Sequence, residues 1–88
     1  MPSKEKLLPL KHPIVTRETS KAIQVTVNYR YKSAMEGWQE DSAGIWLPKS
    51  QVEFHNNDVS ASAWILEQKE LELSKLHDDM LVEILVYA

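Results

Sequence analysis

An 88-residue chain with 43% hydrophobic residues has room for one small domain and one modest core, burying about two-thirds of its unfolded surface. It contains no cysteine, which removes disulfide staples, thiolate metal sites and cysteine nucleophiles together and points to a reducing interior. The formal net charge of -3 hides a polarity: residues 1–33 hold seven Lys or Arg against Glu5 and Glu18, whereas residues 34–88 hold eleven carboxylates against Lys49, Lys69 and Lys75.

Residues 1–15 carry Pro2, Pro9 and Pro13 and no sustained period, so they read as an extended or disordered arm that adds little core. The domain proper is expected over residues 16–88. Thr16 to Ser20 reads as a polar connector. From Lys21 to Lys32, Ile23, Val25, Val27, Tyr29 and Tyr31 alternate without error against Gln24, Thr26, Asn28 and Arg30, the mark of a strand with one buried and one wet face. Ser33 to Ser42 holds turn formers, Gly37 and three acids, and predicts a loop with Trp38 near its tip, its ring folded back on the core or left out as a binding aromatic.

In Ile45 to Phe54 (IWLPKSQVEF) neither face is cleanly apolar. Proline cannot donate to a ladder, so a bend at Pro48 is expected, with extended pieces at 45–47 and 51–54 and with Lys49 and Ser50 displayed at the corner. Trp46 is expected to pack inward. His55 to Asp58 predicts a turn. Val59 onward predicts a short helix capped by Ser60 or Asp58, carrying Trp64 in its apolar arc and ending near Lys69 to Leu71. The apolar, β-branched tail Met80 to Ala88 favours a buried strand over a helix.

Strand, bent strand, helix and strand make a small single α+β domain with an antiparallel sheet or partial barrel and an extended N-terminal arm. A five-stranded barrel is the rival, and it requires Glu70 to Leu76 to be extended.

The succession KAIQVTVNY, IWLPKSQ and SAWILEQKEL resembles small phage- and plasmid-encoded proteins of unknown function with a W-[IL]-P-[KR]-S-Q-like motif. The matching positions are Trp46, Leu47, Pro48, Lys49, Ser50, Gln51 and Trp64. The resemblance implies an accessory role in mobile-element biology, beside replication or recombination functions.

No catalytic constellation is expected. His12, His55 and His77 are scattered, and no pair has the spacing of metal ligands. His77-Asp78-Asp79 reads as a solvated turn. Two glycines in separate segments cannot form a phosphate loop, and Ser50 has neither a nucleophile-elbow frame nor a base. No cofactor or metal is therefore expected, and the chain reads as a non-enzyme.

The expected function is protein–protein interaction by an accessory protein, a regulator or host-directed effector, with Trp46, Pro48, Lys49, Ser50 and Gln51 as the contact patch. The alternative is single-stranded nucleic-acid binding through Arg30, Lys32 and Trp38, which the acidic balance disfavours. A third reading is a self-assembling subunit, a homodimer completed by the tail Met80 to Tyr87. No apolar run approaches the ~20 residues of a membrane span, so a cytoplasmic protein without a membrane partner is expected.

Overall fold

The alternating segment folds as the spine of the molecule, and every other element is placed by what pairs with it or covers its apolar side. The structure, a computed structural model, describes residues 6–87, so the first five residues of the arm expected over 1–15 and the last residue of the tail lie outside the described residues. Strand β1 is Leu7–Pro9, β2 is Ile14–Glu18 and the spine, β3, is Ala22–Ser33. Strand β4, Gly37–Pro48, runs antiparallel along one entire edge of β3, from Ala22↔Pro48 to Ser33↔Gly37.

The other edge of β3 is shared. Strand β2 covers Ile23 to Thr26, and β7, Val82–Ile84, covers Tyr29 to Tyr31. A second antiparallel sheet has the order β1, β6, β5, where β5 is Val52–His55 and β6 is Asp58–Ser62. Helix α1, Ala63–Leu76, follows β6 directly and packs against β7 and β6. The result is a small α+β domain, mostly antiparallel strands with one helix, and not a closed barrel.

The core lies under β3. Ile23, Val25, Val27 and Leu47 are fully buried, and Ile45, Val59, Ala61 and the helix residues Ile65, Leu66 and Leu73 close around them. The period of two in β3 is thus realised as predicted, with Gln24, Thr26, Asn28 and Arg30 on the outer face.

Four expectations are corrected. The segment read as an arm contributes to the core, because Leu7–Pro9 pairs with β6 and Leu10 is buried, its N–H donating to the Val59 carbonyl. The connector Thr16 to Ser20 is largely strand β2. The loop Ser33 to Ser42 shrinks to a turn at residues 34–36. Its polar residues tolerate a strand because this end of the β3–β4 hairpin runs past the core into solvent. Gly37, at φ 76°, takes the left-handed conformation that closes the turn, while the Met35 and Glu36 N–H groups donate to Ser33 Oγ.

The helix starts later and runs longer than expected. Its N-cap is Ser62, not Ser60 or Asp58, since residues 58–62 pair as β6. Its buried stripe is Ile65, Leu66 and Leu73, so Glu70 to Leu76 is helical and the rival barrel is excluded. Leu66 and Leu73 stand two turns apart on one face. That choice of stripe turns Trp64 and Leu71 outward, 52% and 61% exposed.

Candidate functional site

The motif IWLPKSQ divides between the end of β4 and the turn that leads into the second sheet. Ile45 and Leu47 point into the core from β4, and Trp46 between them therefore points out, 39% exposed, opposite Gln24 on the outer face. The inward placement expected for Trp46 is thus overturned by the period of two itself.

Pro48 ends β4 where a ladder donor is no longer needed, and Lys49–Gln51 makes one 3-10 turn that carries the chain into β5. The Lys49 N–H donates to the Lys21 carbonyl at 2.8 Å, and its ammonium reaches Glu18 Oε2 at 2.5 Å. Ser62 Oγ donates to Gln51 Oε1 at 2.7 Å and itself accepts the Ile65 N–H at 3.2 Å.

Gln51 therefore aims the hydroxyl that caps α1, inside a core where Ser62 is 1% exposed. Within the expected contact patch, Lys49 and Gln51 are tied into the joint between the sheets. Ser50 is exposed, and Trp46 belongs to a different surface, the outer face of β4.

That outer face also gathers the residues singled out for nucleic acid. Trp38 is a strand residue opposite Lys32 and not a loop-tip residue. The Arg30 guanidinium lies 4.2 Å from its ring centroid and the Lys32 ammonium 5.9 Å. Arg30 is also bound to Glu83, with Nε donating to Oε1 at 2.8 Å, and Glu40 stands opposite it across the ladder. The three residues are brought together, but the ring face is covered by a guanidinium and the surrounding charge is mixed.

The more distinctive feature is the far side of β4. Among the described residues β4 pairs only with β3. Which of its backbone groups are open follows from the ladder. Leu85 N–H donates to Asn28 O and Lys32 N–H to Leu81 O, so the even residues of β3 bond toward β7. Lys49 N–H donates to Lys21 O, so the odd residues bond toward β4.

The paired residues of β4 are then 37, 39, 41, 43, 45 and 47. Trp38, Glu40, Ser42, Gly44 and Trp46 turn their N–H and C=O groups to the open edge, where the Ser42 N–H donates to Asp41 Oδ1 at 2.8 Å. Below this edge, Gly44, Ile45, Lys69, Leu73 and Leu76 border a groove of about 320 Å³ between β4 and α1.

Sequence reasoning also missed a cluster at the far end of the hairpin. His77 Nε2 and Tyr29 Oη are 2.7 Å apart, and the His77 ring stacks on Tyr31 with centroids 4.0 Å apart. Burial, with Asp41 and Tyr31 nearby, raises the Tyr29 phenol above its ordinary range. His77 is thus a packed residue of the β3 inner face, and no local signal in His77-Asp78-Asp79 foretold it. On the other side of the helix Glu70 is half-buried. Its carboxyl is raised by burial, partly offset by the Ile84 N–H at 2.8 Å, and raised further by Glu83 and Glu67.

No protein-family model, curated protein or solved structure matches this chain.

Proposed function

We propose that this chain is a non-enzymatic accessory protein that acts by binding another polypeptide, with the open edge of β4 as the binding element. One observation carries the reading: among the described residues a 12-residue strand is paired along one side only, leaving a row of backbone donors and acceptors flanked by two exposed tryptophans. Such an edge is a template for strand addition, where main-chain hydrogen bonds give affinity and alternate side chains give selectivity. The resemblance of IWLPKSQ to a motif of phage and plasmid proteins supports looking for that role in mobile-element biology.

The nucleic-acid reading has less support. A base would have to displace Arg30 from Trp38 and from Glu83, beside the carboxylate of Glu40, with little phosphate neutralisation in return. The tail expected to complete a second copy has its strand Val82–Ile84 paired with β3 of its own chain, which leaves β4 as the long open edge.

A photo-reactive residue placed at Glu40, on the edge, is expected to form an adduct with a polypeptide in cells that make the protein. The same residue at Gln24, in mid-sheet, is not. Gly44→Pro removes an outward N–H without touching the β3 ladder and should abolish the adduct. Absence of any polypeptide adduct at residue 40, or one indifferent to Gly44→Pro, refutes the reading.

A further inference from the structure

The edge of β4 is self-complementary in one register. We propose that its occupant is a second copy of this chain, paired antiparallel about a twofold axis at Ser42; this rests on the reading of β4 as a binding edge and names its partner. In an antiparallel pair the residues that exchange both hydrogen bonds face each other on the same side of the sheet. With Ser42 opposite Ser42 of the second copy, Glu40 stands opposite Gly44 and Trp38 opposite Trp46, each twice by symmetry.

The five outward-facing residues of each strand then form roughly ten inter-chain hydrogen bonds. The Ser42 N–H exchanges Asp41 Oδ1 for the Ser42 carbonyl of the other copy.

Neighbouring registers are worse for stated reasons. Sliding one pair toward Pro48 sets a proline, which has no N–H, against Trp38. Sliding one pair the other way loses a hydrogen-bonded pair, and sliding two pairs puts Glu40 opposite Glu40.

The register centred on Ser42 alone sets aromatic against aromatic and leaves no like charges directly opposed. It also accounts for groups the single chain leaves in water. The second copy's strand roofs the groove beside Ile45, Leu73 and Leu76, of which Leu76 is 74% exposed in the single chain. Met35, 94% exposed at the hairpin tip, comes level with Pro48 and Lys49 of the second copy.

Three measurements test this. Light scattering over a concentration series on the full chain is expected to show a dimer mass that falls toward the monomer on dilution. Because the chain has no cysteine, Ser42→Cys reports only its own symmetric contact. Cα atoms about 5.5 Å apart in a hydrogen-bonded pair lie within disulfide range, so oxidation should link S42C chains, whereas E40C chains, about 14 Å apart in this register, stay single.

Gly44 has room for a side chain, with only the Gln24 amide nearby at 3.6 Å. Gly44→Glu, opposite Glu40, should weaken the dimer at least tenfold, and Gly44→Lys should hold or strengthen it. A monomer mass throughout, or E40C linking as fast as S42C, overturns the proposal. If the chain is monomeric yet residue 40 still forms an adduct with a different polypeptide, the second copy is wrong and the binding edge stands. If neither occurs, both fall.

Discussion

Adjacent residues of one motif should differ sharply in what they hold. Leu47 is fully buried between the two sheets, so Leu47→Ala removes the transfer energy of the side chain and leaves a cavity that a β-scaffold refills poorly. About 3 to 4 kcal/mol is expected. Trp46, next to it, keeps 39% of its surface in water on the outer face, opposite Gln24. Its truncation forfeits a cross-strand contact and partial burial, and should cost about 1 kcal/mol.

For a domain of this size each kcal/mol moves the midpoint by roughly 4 to 8 °C, so Leu47→Ala lowers Tm by roughly 12 to 32 °C and Trp46→Ala by roughly 4 to 8 °C. Melts followed by far-ultraviolet circular dichroism, at a dilution where self-association does not contribute, make the comparison without the lost fluorophore. A Trp46→Ala cost equal to that of Leu47→Ala would show that the tryptophan, and not the leucine, faces the core, and would refute the register assigned to β4.

Ser62→Ala strips the cap of α1 and orphans the buried Ile65 N–H; about 2 kcal/mol is expected, against less than about 1 kcal/mol for Gln51→Ala, which leaves the hydroxyl able to accept. Equal losses in urea melts would sink that ordering. Glu70 has its folded-state pKa raised, so its contribution to stability is present below the ordinary glutamate range and is lost as pH rises through the raised value. Glu70→Gln should therefore melt higher than the wild type at pH 7, with the gap closing in acid; a gap that widens on acidification contradicts the assignment. Gly37→Ala meets no atom within 4 Å, so its cost is that of a left-handed backbone alone, about 1 to 2 kcal/mol by equilibrium unfolding.

Much of the candidate site could be read in the chain, but in the wrong places. Trp38 and Trp46 both read as contact candidates in the sequence and both are exposed, but local pattern sets one in a loop and the other in the core, whereas both face outward from β4. Each error has a local cause. Gly37 to Ser42 is rich in turn formers and acids, which strands avoid only where a face must be buried, and here both faces reach water. In IWLPKSQ the tryptophan is the largest apolar residue, and size suggests burial, but a strand's period leaves it no choice once Ile45 and Leu47 are inside.

What the sequence by itself determined is the α+β class, the spine at residues 21–32, the break at Pro48, the turn before Asp58 and a strand in the apolar tail. These are local consequences of the period of two, the missing proline N–H and the propensities of β-branched residues. Tertiary structure alone decided the stripe by which α1 packs, the entry of Leu10 and β1 into the core and the sharing of one edge of β3 by β2 and β7. It also decided that, among the described residues, one edge of β4 stays unpaired. Pairing partners and helix faces depend on which distant surfaces remain uncovered once the rest has folded, and no window of sequence contains that information.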